Sequence, residues 1–304
     1  MIIWPKPFFV QIEITNLCNY NCPLCPRKKI GVAFRHIDIT LYGRILDNLS
    51  GVSRVNLTGW GEPLCHPQIV TLIKSAKKRG KKVSLTTNAS LLEGELSRSI
   101  ISAGLDEIAF SVDAVTPNGL KTDHNQPKTL TNIHKFQALN RGTVRIRIQT
   151  TLIGQNENDL RQIINFAARN HIKVFRLMRL DDRWLDGSST SSRKDESDIF
   201  TKLSRYGRHR NIRVEMAQYG TNRKLLNIAY GGLRRVAWRD NCPKLFYSCY
   251  INVDGKVTPC CNLPHLAMGD AAKVPVQKIW RGAKFRHFRN KHDSFCQGCG
   301  ILTR

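Results

Sequence analysis

Six short β-like segments alternate with helix-like ones before residue 180, and this alternation limits the fold more than any other feature. Strands are expected over 8–15, 54–58, 82–86, 107–112, 144–150 and 172–178. Helices are expected over 67–79, 91–103, 127–139 and 157–169, the first three closed by Gly80, Gly104 and Gly142. Repeated strand–helix units with glycine stops predict a parallel α/β sheet or barrel. The strand phases choose between them. Val144, Ile146 and Ile148 share one face, and Arg145, Arg147 and Gln149 the other. Val10, Ile12 and Ile14 oppose Gln11, Glu13 and Thr15 in the same way. A sheet covered by helices on both sides would be apolar on both faces. One polar face per strand predicts an open barrel with a functional lumen, a partial (β/α)6 barrel.

The pattern changes after residue 180. Residues 181–196 are polar and serine-rich, which predicts a loop or lid. A helix over 195–206 and a strand over 212–216 follow, and the barrel domain is expected to cover 1–215. Residues 216–240 read as a linker and 241–304 as a small separate module, with an Asp254–Gly255 hairpin turn and a helix over 277–288.

The 304 residues are 41% hydrophobic and 23% charged, and no apolar run reaches membrane-spanning length. The first residues lack the charged and apolar stretches of a signal peptide, so a cytoplasmic protein is expected. There, ten cysteines point to metal ligation rather than to disulfides. The net charge of +25 suits an anionic partner, such as a phosphorylated substrate, an acidic peptide or RNA, though no nucleic-acid motif stands out. The densest basic run, 77–82, falls where a helix should end, and cations suit that end.

Cys18, Cys22 and Cys25 place three thiols in eight residues directly after the first strand. Three cysteines so spaced can hold three irons of a cubane and leave the fourth iron open, unlike an electron carrier with four thiolates. A structural zinc site is the weaker alternative, because zinc usually takes four ligands from paired knuckles.

The first strand followed by Cys18-x3-Cys22-x2-Cys25 resembles the radical S-adenosylmethionine (SAM) superfamily, and further motifs fall in step. Gly59-Trp-Gly-Glu-Pro63 after the second strand is similar to the family's GGEP motif, with Trp60 at its first glycine. The resemblance implies that Gly61 and Glu62 hold the SAM amino group. It places Asn88, Ser111 and Asp113 at strand ends facing the cofactor, and Leu152, Gly154 and Glu157 in an adenine-contacting segment. Arg147, on the lumen face, is expected to pair with the SAM carboxylate. Leu24 departs from the aromatic residue usual there. The implied chemistry is one-electron cleavage of SAM at a [4Fe–4S] cluster, giving a 5′-deoxyadenosyl radical that takes hydrogen from a substrate C–H bond. A flavodoxin- or ferredoxin-type protein would supply the electron.

Cys242-x12-Gly255-x4-Cys260 resembles the signature of SPASM and Twitch domains, and Cys296-x2-Cys299 supplies a closing pair. The resemblance implies one auxiliary [4Fe–4S] cluster on Cys242, Cys260, Cys296 and Cys299, with zinc in the same thiols as the alternative. The short tail after Cys299 favours a Twitch. Cys65 and Cys261 read as packing residues. Cys249 also reads as packing, with hydrogen donation to a substrate radical as its functional alternative. His36, His66 and His124 read as packing or surface residues, and Glu13 as a lumen carboxylate in need of a partner.

Three functions are weighed. The first is oxidation or epimerisation of a small polar substrate, as in aminocyclitol and aminoglycoside dehydrogenases and epimerases. The second is ribosomal-peptide maturation, weakened because the first strand starts near residue 8 and leaves no room for a leader-binding domain. The third is a nucleotide- or RNA-acting enzyme, suggested by charge alone. A non-catalytic iron–sulfur sensor would have no use for Gly-Glu-Pro.

Overall fold

A computed structural model describes residues 6–115, 126–180, 193–216, 242, 244–297 and 299. His124, most of the serine-rich segment and almost all of the expected linker lie outside the described residues.

Seven parallel strands form one arc: β1 (Phe9–Ile12), β2 (Arg54–Asn56), β3 (Lys82–Thr87), β4 (Glu107–Ser111), β5 (Arg145–Leu152), β6 (Val174–Arg179) and β7 (Arg213–Met216). Between them run α1 (Ile39–Asp47), α2 (Ile69–Lys78), α3 (Gly94–Ser102), α4 (Gln126–Leu139), α5 (Glu157–Arg169) and α6 (Arg193–Arg208). Helix α1 is absent from the sequence reading. Its start is set by Asp38, whose carboxylate accepts from Leu41 N at 2.9 Å. Asn156 and Asp159 build a capping box on α5.

The register shows why each strand has two characters. Val10 lies opposite Val55, Val55 opposite Val83, and Ile108 opposite Ile146. Val10, Ile12, Val55, Val83, Leu85, Ile108, Ile148, Phe175 and Leu177 are buried with Leu72, Ile100, Ile133, Leu160 and Ile163 of the helices. Each such side chain contributes about 1.5–3 kcal/mol on leaving water. The other face is mostly polar. Gln11 Nε2 donates to Thr58 O, Asn56 Nδ2 donates to Ser84 Oγ, Arg147 pairs with Glu107, and Arg176 pairs with Glu215. The polar lumen read from strand phases is therefore present.

The C-terminal segment is not detached. A hairpin of β8 (Ser248–Ile251) and β9 (Lys256–Thr258) joins the barrel sheet, with β8 running parallel to β1 on its free side. Gly255 sits at φ +78 in the turn, where glycine is favoured. A short β10 (Gly269–Asp270) closes the far edge, giving a ten-stranded open sheet in the order β10-β9-β8-β1-β2-β3-β4-β5-β6-β7. The single helix expected over 277–288 is instead two, Val276–Arg281 and Ala283–Phe295, broken at Gly282. No helix among the described residues is long and apolar enough to cross a membrane.

Candidate active site

The cysteine loop leaves the C-terminal end of β1, and buried polar side chains brace it. Asn16 donates from Nδ2 to Ala33 O and accepts from Arg35 N. Arg27, also buried, donates to Asn16 O and Tyr20 O and lies over the Phe34 ring. Burial pushes the Cys22 thiol up to about 12, with further pressure from Cys25, Cys18 and Asp113. Burial pushes Cys18 up to about 11, with Glu62 and Cys65 acting in the same direction. Both thiols would therefore bind iron by giving up a proton that the free site retains. No group of three His, Cys, Asp or Glu side chains among the described residues is arranged to hold a single metal ion. A cubane instead takes one thiolate per iron.

The Gly59–Pro63 loop follows β2, and its two glycines allow close contacts. A Cβ at Gly61 would lie within 3.0 Å of backbone atoms of Thr15, Asn16 and Leu17. A Cβ at Gly59 would meet the Glu13 side chain equally closely. Glu62 is 3% exposed. Its Oε1 accepts from Leu64 N at 3.0 Å and Thr87 Oγ1 at 2.6 Å, and its Oε2 from Asn88 N at 2.8 Å. Burial raises its pKa to about 7, against those hydrogen bonds. The sequence reading gave this carboxylate wholly to the SAM amino group. The structure also uses it to join the loop to the end of β3. It still fits an incoming amino group, because no cation pairs with it among the described residues and Oε2 has an acceptor site left.

The strand ends bring most of the expected residues together. Asn88 Nδ2 donates to Asn19 Oδ1, tying β3 to the cysteine loop, and its Oδ1 accepts from Ser90. Ser111 ends β4. Asp113 accepts from Thr151 N, is driven up to about 6 by burial, and lies near enough to Cys22 to act on its thiol. Leu152 is buried at the end of β5. Two buried carboxyl side chains thus flank the thiols without a cationic partner among the described residues.

Arg147 is placed differently from the sequence reading. It lines the lumen at the opposite, N-terminal mouth, paired with Glu107. There it borders a cavity of about 300 Å³ with Arg54, Lys82, Arg145 and Arg176. Strand phase gave its face correctly but not its height, and an arginine paired with Glu107 at that mouth does not reach the other end. Cys249 is also misplaced as a hydrogen donor. It lies opposite Val10 on the helix-facing side, 2% exposed within the apolar core. Burial raises its thiol to about 12. Its neighbour Tyr250, opposite Gln11, takes the lumen side beside Glu13.

His66 is a packing residue, with Gln68 N donating to Nδ1 and the Nε2 side on Ile37 O, and His36 stacks edge-on against it. Cys65 lies against Asn19 beside Glu62.

The second group of cysteines converges as expected. Cys242, Cys260, Cys296 and Cys299 line one enclosed site, and none of them is in a disulfide. Cys261, read from sequence as a packing residue, joins it, and so does Lys244, which the sequence reading passed over. Burial alone would lower the Lys244 ammonium, but Cys261, Cys242 and Cys260 outweigh it and hold the pKa above the ordinary value. A cation among thiolates suits an anionic cluster. The only sequence signal for Lys244 was its position two residues after a ligand. This site meets the first one through the barrel: Trp60 Nε1 donates to Cys261 O at 3.1 Å.

A family model described as the radical SAM superfamily matches residues 12–167, and one described as an iron–sulfur cluster-binding domain of SPASM type matches 242–300. A tungsten-containing aldehyde ferredoxin oxidoreductase cofactor-modifying protein of Pyrococcus furiosus is 29% identical over 110 residues, 35% of this chain and 31% of that protein. A GTP 3',8-cyclase of Chlorobaculum tepidum is 26% identical over 184 residues, 57% of this chain and 53% of that one. The chain thus spans about half or less of the length of these relatives. In fold, SuiB of Streptococcus suis bound to its precursor peptide SuiA superposes with a TM-score of 0.78 at 17% identity, covering 98% of this chain and 70% of that one. Native anSMEcpe with bound AdoMet gives 0.72 at 15% identity, covering 93% and 82%. BtrN with AdoMet and 2-DOIA gives 0.53 at 14%, covering 99% and 95%. Radical SAM and SPASM domains carry a SAM-binding [4Fe–4S] cluster and auxiliary clusters. On the family match across half its length, the chain belongs to the radical SAM superfamily.

Proposed function

We propose that the chain oxidises a polar C–H position, with the first cysteine group holding the cluster at which SAM would be cleaved and the second holding an auxiliary cluster that would serve as acceptor for the second electron. Bound there, the first cluster supplies the electron that cleaves SAM. The protein's own part is positioning and exclusion of water. Cys18, Cys22 and Cys25 would hold the first cluster, and Cys242, Cys260, Cys296 and Cys299 the auxiliary one. Glu62 would take the SAM amino group, and Asn88, Ser111 and Asp113 would line the same end of the barrel. One observation carries this reading: Glu62 and Asp113, both buried and without a cation paired to them among the described residues, lie at the strand ends beside Cys18 and Cys22.

A peptide side chain is the substrate class best supported. The fold agrees more closely with SuiB and anSMEcpe, both solved with peptides, than with BtrN. The polar lumen favours a polar substrate group. A small aminocyclitol-like substrate is the second reading, supported by the fold shared with BtrN over nearly the whole chain. Epimerisation through Cys249 loses its support, since that thiol faces away from the lumen.

The test is anaerobic. The reduced, cluster-loaded protein is expected to form 5′-deoxyadenosine from SAM, and Cys22→Ala to form none. Equal formation by both would sink the reading. Incubation with a panel of acidic peptides and with aminocyclitols then distinguishes the substrate classes by which one raises 5′-deoxyadenosine formation.

A further inference from the structure

Glu13 and Trp60 have no assigned part in cluster or SAM binding, yet together they join the two sites. Glu13 follows β1 directly on its lumen side, 2% exposed, and its two carboxylate oxygens serve different modules. Oε1 accepts from Trp60 N at 3.0 Å, inside the Gly59–Pro63 loop. Oε2 accepts from Val253 N at 3.2 Å, at the end of β8. Glu13 N continues the strand pairing by donating to Ile251 O. Gly59 provides the space for its side chain, as any Cβ there would collide with it. From the same loop the Trp60 indole N–H reaches Cys261 O, one residue beyond Cys260. Cys260 O in turn accepts from Thr258 Oγ1 at 2.9 Å, which fixes the turn that carries the thiol.

The result is a continuous path of hydrogen bonds joined through the covalent frame of Trp60 and Glu13. It runs from the Cys260–Cys261 turn through the Trp60 indole to the Trp60 amide, then to Glu13 and back to Val253 of the hairpin. Trp60 is followed directly by Gly61 and Glu62. The auxiliary turn and the segment assigned to SAM are thus directly connected. Family members with glycine in place of Trp60 have no side chain with which to make the indole contact.

We propose that Glu13 and Trp60 are positioning residues that couple the auxiliary site to SAM binding, so that the state of each site sets the affinity of the other. This rests on the reading that the Gly59–Pro63 loop holds SAM. Coupling is reciprocal by thermodynamic necessity and has to be shown by a cycle of variants, not by proximity.

The experiment measures the SAM dissociation constant by anaerobic calorimetry in four cluster-reconstituted proteins: wild type, Cys299→Ser, Trp60→Phe and the double variant. The expected result is a loss of SAM affinity of about fivefold or more on removing the auxiliary ligand from the wild type, at the low end of typical coupling, and little or none on removing it from Trp60→Phe. Glu13→Gln, which leaves only one of the two acceptor positions, should flatten the dependence in the same way. An equal loss in both backgrounds, or none in the wild type, overturns the coupling. If the wild type does not bind SAM at all, the assignment of the loop falls, and the coupling with it. Should Cys299→Ser fail to fold, the midpoint potential of the auxiliary cluster is measured with and without SAM. A fivefold preference corresponds to a shift of about 40 mV at 59 mV per tenfold for one electron. That shift should be present in the wild type and absent in Trp60→Phe; the same shift in both refutes the coupling.

Discussion

Replacing Glu62 by glutamine tests the site at its most exacting point. The carboxylate accepts from Leu64 N, Thr87 Oγ1 and Asn88 N. Glutamine keeps the shape but turns one acceptor into a donor. With its NH2 toward Asn88, that backbone N–H loses its partner; with the amide flipped, Leu64 N loses one. Either leaves a buried donor unsatisfied, which costs about 1–3 kcal/mol. If the loop absorbs that cost only when SAM is bound, affinity falls by about 5- to 150-fold. The pH dependence adds a second, signed expectation. Burial holds the free carboxyl at about 7, and a bound amino group favours its ionised form. The wild type should therefore bind SAM more weakly as pH falls through 7, while glutamine has no proton to gain. The amino group of SAM titrates identically in both proteins and cancels in the ratio of dissociation constants. Between pH 8 and pH 6 that ratio should shrink about tenfold, one decade for each 1.36 kcal/mol lost as the carboxyl protonates. Anaerobic calorimetry at three pH values, with iron content as the check on folding, decides the matter. A ratio near one at pH 8, or one that does not vary with pH, would refute the role given to Glu62.

Other outcomes are expected from the same geometry. Cys249→Ala should cost about 1 kcal/mol or less of stability and leave both 5′-deoxyadenosine and product formation in place; loss of product alone would return the thiol to the mechanism. Arg147→Met should leave SAM affinity within twofold of wild type, because the guanidinium is held by Glu107 at the far mouth; a tenfold loss would show that it reaches the cofactor after all. Iron should be near eight per chain and fall to near four in Cys260→Ser, read by anaerobic iron and sulfide assay, since one [4Fe–4S] cluster is expected in each thiol group; a wild-type value near four removes the auxiliary cluster. Gly61→Ala should fold poorly or lose its first cluster, because backbone of residues 15–17 occupies the space its Cβ needs.

Much of the fold was legible because strand periodicity carries two messages at once. In 144–150 the alternation of valine and isoleucine with arginine and glutamine marks both the strand and its two faces, and the structure has both. Helix α1 was illegible for the opposite reason. Its interior glycine and threonine blur the period, and only the Asp38 cap announces its start. The union of the hairpin with β1 was also hidden. Local pattern predicts the turn at Asp254–Gly255, but nothing in the two segments states that they pair across about 240 residues.

The misplaced site residues share one cause. Period 2 tells which face a side chain takes and says nothing of its height along the barrel, and only register supplies height. Arg147, Gln149 and Thr151 lie on one face, yet Arg147 meets Glu107 at the N-terminal mouth while Thr151 N reaches Asp113 beside the thiols. Cys249 failed one step earlier. The face taken by β8 follows from its partner, and that partner, Val10 of β1, belongs to the core side. Glu13 succeeded for the converse reason. A carboxylate on the polar face of a strand whose end was already fixed by the cysteine loop had to find donors there, and it found one in each module. Sequence therefore locates chemistry best at strand ends, where a motif sets the height that periodicity leaves free.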